Sequence, residues 1–180
     1  CLIVAVLACA CGAACSRAQA ADVAVVKCTL AVKKTPGEAR AHGMYLEAVT
    51  RKLVQNGLPF HVLTDEQVIA GKLSTYKLAV FPFNTVSQPD EIRQILAFVQ
   101  GGGKLVWFYG FPRELGAVLG IDKHTYRGKS RDGEFFTMRF AADRPAGFPA
   151  EVRQQSPNCR IVEKVAAGSR AIAVWHDKDG

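Results

Sequence analysis

The residues best suited to chemistry in this sequence stand in loops that follow apolar runs: Lys33 and Lys34, the stretch Asn84-Thr85-Val86-Ser87, and Tyr109-Gly110-Phe111-Pro112-Arg113. An ammonium, an amide, hydroxyls, aromatic rings and a guanidinium so placed can hold a sugar or a carboxylate by hydrogen bonds and ring stacking. Lys33, Asn84, Thr85, Ser87, Tyr109, Phe111 and Arg113 are therefore the candidate ligand-binding residues. Several have a plainer structural use. Ser87 is placed to cap a helix, and Asn84-Thr85 to make a turn. Alternation puts Trp107 and Tyr109 on one sheet face, where core packing is the default, so Phe111 beyond Gly110 is the aromatic better placed for solvent.

Other chemistries lack their residues. No G-x-G-x-x-G or G-x-x-x-x-G-K-[ST] pattern follows a strand, so neither a dinucleotide site nor a P-loop is expected. Gly101-Gly102-Gly103 comes before a strand and reads as a turn. His42, His61, His124 and His176 share no metal-ligand spacing, and no metal or cofactor is expected. A glycosidase needs two carboxylates about 5 to 10 Å apart across the bond. Asp65, Glu66, Asp90 and Glu91 instead sit at helix starts, where negative charge complements the dipole.

The elements that would position these loops alternate between short β-branched runs and stretches of helical period, the signature of βαβ units around a parallel sheet. The nearly continuous apolar run 23–30 reads as a central strand covered on both faces. Thr35-Pro36-Gly37-Glu38 has the form of a capping box and opens a helix with Tyr45, Leu46, Val49 and Leu53 inward, ending at Asn56-Gly57. A strand follows at 59–63, and Thr64-Asp65-Glu66-Gln67 caps a short helix. Residues 76–83 form a third strand with Pro82 at its end. Ser87 and Pro89 open a helix with Ile92, Ile95, Leu96 and Val99 inward, and 104–109 is the fourth strand, followed by a helix-like segment at 113–120. Beyond Lys123 short runs at 134–140, 150–154, 160–165 and 171–176, separated by Gly, Pro and Asp turns, read as an antiparallel addition. The expected fold is α/β: a flavodoxin-like three-layer sandwich with a mostly parallel sheet, then a β-rich C-terminal extension.

The stretch 76–120 carries a strand, an Asn-Thr loop, a helix beginning Pro-Asp-Glu, Phe98-Val99 before Gly-Gly, an apolar strand, an aromatic-Gly turn, then Leu115-Gly116 and Leu119-Gly120. Over roughly residues 22–122 the chain resembles the class I glutamine amidotransferase-like superfamily. It resembles in particular the type found as the trimerisation domain of some beta-galactosidases and in exported bacterial glycosyl hydrolase-like proteins. In catalytic members the strand after the Gly-Gly turn leads to a nucleophile elbow holding a cysteine. The matching stretch here is Trp107-Phe108-Tyr109-Gly110-Phe111, which has no thiol, and the histidine-carboxylate motif downstream is also missing. The resemblance implies a non-catalytic module.

At 180 residues and 49% apolar content the chain suits one domain of ordinary size with an appendage. Its apolar start, Leu2 to Ala8, is too short to span a bilayer and runs to Ala18-Gln19-Ala20, the form of a secretory signal peptide. With no initiator Met or basic leader before Cys1, and a hairpin-turn sequence at Asp177-Lys178-Asp179-Gly180, both ends are expected to be clipped. The expected organisation is a signal peptide at 1–20, the α/β domain at 21–122 and a truncated β-rich extension at 123–180. Export to the periplasm or medium is expected, with lipid attachment at Cys9 as a second possibility. Signal cleavage removes Cys1, Cys9, Cys11 and Cys15, and the remaining Cys28 and Cys159 do not make a disulfide framework.

The net charge of +7 is scattered apart from Lys33-Lys34 and the stretch 127–131. No basic stripe with interleaved aromatics appears, so no nucleic-acid partner is expected, and no membrane partner after cleavage. Expected partners are a carbohydrate, further domains of the same chain, and a second copy in a homo-oligomer. The leading expectation is an accessory module of an exported carbohydrate-active protein. The alternatives are a self-contained sugar-binding protein or hydrolase using the crevice formed by Lys33, Asn84, Tyr109 and Arg113, and a cytoplasmic flavin module.

Overall fold

The computed structural model describes residues 21–84, 88–153 and 158–178. The expected signal peptide, the Cys9 site, Thr85, Ser87 and the final Asp179-Gly180 lie outside the described residues. The chain forms two compact units, divided between Leu119 and Gly120.

The first unit is built on a parallel sheet of β1 (Val23–Lys27), β2 (Phe60–Thr64), β3 (Leu78–Phe81) and β4 (Lys104–Trp107), in the order β2-β1-β3-β4. Val25 of β1 lies between Val62 and Val80, and Val80 pairs onward with Val106. Its helices are α1 (Leu30–Lys34), α2 (Ala39–Gln55), α3 (Asp65–Ile69) and α4 (Pro89–Gln100), with 3-10 turns at Pro36–Glu38, Lys72–Thr75 and Arg113–Leu115. The path from β1 to β2 runs one way along the sheet, and the later crossovers run the other. Right-handed crossovers therefore put α2 on one face and α3 and α4 on the other. In agreement, α3 packs against α4. Ala24, Val25, Val26, Ala79, Val80 and Phe81 are buried, as a strand pair covered on both sides requires. The α/β class and parallel sheet expected from the sequence are those observed.

Several boundaries differ from the sequence reading, each for a local reason. The first strand stops at Lys27, because the amides of Thr29 and Leu30 turn away to the Asp65 carboxylate and Leu30 opens α1. Thr35 caps nothing: its hydroxyl donates to the carbonyl of Ala31, closing α1, and Pro36 begins a 3-10 turn instead. On α2 the buried residue is His42, while Tyr45 is 39% exposed. The box at Thr64 is present in full, with Thr64 Oγ1 accepting from the Gln67 amide and Gln67 Oε1 accepting from the Thr64 amide. The N-cap of α4 is Gln88, without a side-chain bond, and its buried residues are Glu91, Ile95 and Phe98.

The second unit holds a two-stranded antiparallel pair, β5 (Ile121–Gly128) with β8 (Asn158–Val165). It also holds a three-stranded antiparallel sheet in which β6 (Thr137–Phe140) lies between β7 (Glu151–Arg153) and β9 (Ala173–His176). The sequence reading did not place β5, whose Asp122 to Arg127 stretch is largely solvent-facing and lacks an apolar alternation. Residues 134–136 are not strand: Phe135 sits at φ 50°, and the buried Glu134 accepts the amide and hydroxyl of Ser130 at 2.6 and 2.9 Å. The basic stretch is paired internally, Arg127 with Glu134, Lys129 with Asp132 and Arg131 with Asp177. No helix of the described residues is long and apolar enough to cross a membrane.

Candidate functional site

The order of strands reverses between β1 and β3, and in open α/β sheets the ligand crevice lies beyond the carboxyl ends at such a switch point. The chain leaves β1 through Cys28 and Thr29, leaves β3 through Pro82, Phe83 and Asn84, and leaves β4 through Phe108 and Tyr109. These segments converge on a polar cluster beside an aromatic one.

Asp65 is the centre of the polar cluster. It is the first residue of α3, and its side chain is wholly buried. Its Oδ2 accepts the amides of Thr29 and Leu30 at 2.6 and 2.7 Å, and its Oδ1 accepts Nδ2 of Asn84 at 3.3 Å. Glu91, in the first turn of α4, is equally buried. Burial raises the Asp65 pKa above its usual value, against the opposing pull of the two amides. Asp65 therefore ties the β1 loop, the β3 loop and the starts of two helices to one point. On the outer side, Lys33 Nζ donates to Glu66 Oε1 at 2.5 Å and Thr29 Oγ1 donates to Glu66 Oε2 at 2.7 Å. The lysine, and then the threonine hydroxyl, lower the Glu66 pKa to about 2.

The aromatic cluster centres on Phe83. Its ring stacks on Tyr45 at 4.8 Å, meets the edge of His42 at 4.7 Å and leans on Tyr109 at 4.5 Å. His42 Nδ1 lies 2.7 Å from the Phe83 carbonyl, which can only accept, so Nδ1 carries the proton and Nε2 turns to the Glu38 carboxylate at 3.6 Å. Beneath them Trp107 stacks on Phe81 at 4.4 Å. Trp107 Nε1 donates to the carbonyl of Gly110 at 2.7 Å and so closes the turn after β4. Within that turn Tyr109 stands at φ 69°, a left-handed conformation uncommon for a residue with a side chain.

Of the sequence candidates, the structure brings Lys33, Asn84 and Tyr109 to this end of the sheet. Lys33 is engaged by Glu66, Asn84 is buried beneath the surface with its amide on Asp65, and Tyr109 packs on Phe83. Phe111 is half-buried on the same loop, and Arg113 is exposed at the start of its 3-10 turn. Thr85 and Ser87 fall outside the described residues. The sequence reading passed over Asp65 and Glu91 as helix-start charges, and did not group His42, Tyr45 and Phe83. Cys28 and Cys159 are both buried, and neither forms a disulfide among the described residues. Among the described residues no group of three or more His, Cys, Asp and Glu side chains is placed to hold a metal ion.

A cleft of about 190 Å³ lies elsewhere, lined by Gly71, Leu73, Ser74, Tyr76, Gln94, Ala97, Phe98, Gly101 and Gly103. These residues stand at the amino ends of β3 and β4 and bring no carboxylate, imidazole or thiol. The candidate site is at the other end of the sheet, where the charged and aromatic groups are.

The chain is similar to the crystal structure of a beta-galactosidase from Bifidobacterium adolescentis, at TM-score 0.48 and 16% identity over 88% of this chain and 78% of that one. It is also similar to a putative ThuA-like protein from Bacteroides uniformis, at TM-score 0.48 and 15% identity over 83% of this chain and 64% of that one. No protein-family profile matches the chain, and no curated protein does. Identity at this level carries no residue-by-residue correspondence.

Proposed function

We propose that the α/β unit is a non-catalytic, glutamine amidotransferase-like module of an exported carbohydrate-active protein. Its crevice at the carboxyl ends of β1, β3 and β4 binds a sugar-like ligand or docks a further part of the assembly. The observation that carries this reading is Tyr109. It occupies the turn after β4, where the resembled family places a nucleophile, and it keeps the left-handed backbone of a strained turn. Its ring, however, packs on Phe83. A phenol held that way serves as a platform rather than an attacking group. Export is supported by the sequence pattern of residues 1–20 alone.

The test uses the full chain. Ammonia release from glutamine is measured first, and then amide chemical shifts are followed while simple mono- and disaccharides are added to millimolar concentration. No turnover, with shifts centred on Asn84 and Tyr109, is the expected result. Steady glutamine hydrolysis would end the non-catalytic reading. Unmoved resonances with every sugar would end the sugar-binding one.

A further inference from the structure

We propose that His42 Nε2 and Glu38 Oε2 form a two-ligand site for a divalent cation of the zinc type, beside the crevice. The imidazole is committed on one side: Nδ1 donates to the Phe83 carbonyl at 2.7 Å, so in the neutral ring Nε2 is a bare lone pair. That atom is buried and has no hydrogen-bond partner among the described residues. What faces it is Glu38 Oε2 at 3.6 Å, itself an acceptor only. Two acceptors turned towards each other repel unless positive charge lies between them. The separation favours a metal ion as that charge. It exceeds the about 2.7–3.2 Å of an N–H···O bond, and is close to the about 3.4 Å between a nitrogen and an oxygen that share a tetrahedral zinc at bonds of about 2.0–2.2 Å.

Both donors are placed by short-range structure. The Glu38 amide donates to the Thr35 carbonyl at 3.0 Å, closing the 3-10 turn that precedes α2. Glu38 and His42 then stand four residues apart, on one face of the helix start. A hydrogen bond from the second ring nitrogen to a backbone carbonyl is the arrangement that fixes the tautomer and orientation of metal-bound histidines. The Phe83 carbonyl supplies it here, while the Phe83 ring meets the imidazole edge at 4.7 Å. The histidine and glutamate side chains are 4% and 51% exposed, so the ring is held and the carboxylate can close the last few tenths of an ångström from the solvent side. Two protein donors leave the remaining positions of a tetrahedral ion to water or to an oxygen of a ligand in the crevice. An imidazole with a carboxylate suits zinc, nickel or copper, whereas magnesium and calcium are held by oxygen donors. The other histidines differ. His61 faces the Tyr76 hydroxyl, and His124 and His176 have the guanidiniums of Arg160 and Arg139 against the ring, where a cation is repelled.

The experiment is a zinc titration of the full chain without a histidine tag, read by NMR at the histidine ring nitrogens and at the Glu38 carboxyl carbon. Reading each site separately keeps zinc taken up by Cys1, Cys9, Cys11 and Cys15 out of the result. The expected result is a saturable shift of His42 Nε2 and of the Glu38 carboxyl along one binding curve, with Nδ1 still protonated. Magnesium at the same concentrations is expected to move neither. Glu38→Gln, at a half-exposed position, is expected to weaken zinc binding at His42 by at least about tenfold. Nε2 unmoved in excess zinc overturns the proposal, as does an Nε2 that carries a proton and keeps it throughout, which is an ordinary ion pair with Glu38. Equal zinc affinity at His42 in Glu38→Gln overturns it too. Should the variant fold poorly, the shared curve in the natural chain decides alone. No readout involves a sugar, so a failure of sugar binding leaves the cation site standing.

Discussion

Replacing Tyr109 separates the backbone of the turn after β4 from the ring that fills it. At φ 69° an L-residue costs about 1–2 kcal/mol relative to right-handed backbone, whereas glycine has no such penalty. The half-buried ring brings about 1.5–3 kcal/mol of apolar burial, scaled down by its exposure, and its pairing with Phe83 at 4.5 Å adds about 0.5–1.5 kcal/mol. Tyr109→Ala removes the ring and keeps the strain, so it is expected to destabilise by about 1–3 kcal/mol. Tyr109→Gly removes both, and is expected to be less damaging than alanine by about 1 kcal/mol. That order reverses the usual one, in which glycine within regular structure is worse than alanine by about 0.5–1 kcal/mol. Equilibrium urea denaturation of the two variants, with the denaturant slope checked for constancy, measures the difference. A glycine variant no more stable than the alanine variant would refute the strained turn.

Two further substitutions probe the packing of the α/β unit and an ion pair at the edge of the site. Gly103→Ala would put its Cβ 2.4 Å from the ring of Phe98, which is only 7% exposed, so a loss of about 1–3 kcal/mol is expected in thermal denaturation. Glu66→Gln breaks an exposed pair with Lys33, and about 1 kcal/mol or less is expected at neutral pH. Because the Glu66 pKa is lowered to about 2, its stabilisation is present above pH 4.5 and fades as pH falls towards 2. The urea midpoints of wild type and variant should therefore converge in acid, and a difference that persists at pH 2 would contradict the pairing.

The parts of the fold legible in the sequence are those decided by neighbours along the chain. The run from Val23 reads as a doubly covered strand because every residue in it must avoid water, and Ala24, Val25 and Val26 are indeed buried. The Thr64 box is correct because both of its bonds close within a single turn of chain. The same pattern at Thr35 misleads because a second local option, the Ala31 carbonyl, takes the hydroxyl first. Strand β5 was invisible for the opposite reason: its partner β8 lies far along the chain, and most of its side chains face water.

The polar centre of the site was harder to see, because its residues have a sufficient local explanation. Acids at helix starts complement the dipole, so Asp65 and Glu91 raise no question by themselves. On α4 the apolar positions Ile92, Ile95, Leu96 and Val99 define a plausible inward face, yet the buried set is Glu91, Ile95 and Phe98. The two faces share Ile95 and are offset by about 100°, one residue of helix, so apolarity alone finds the inward face only to within that step. One signal was available for Asp65. Thr64 and Gln67 already complete the cap of α3 between them, so the carboxylate that follows is not needed for capping. A side chain released from that duty is free to serve a distant partner. The Thr29 amide, 36 residues away, is where it goes. An acidic residue immediately after a complete capping box is thus a better candidate for a tertiary anchor than one that supplies the cap itself, and Asp65 is the instance that organises this crevice.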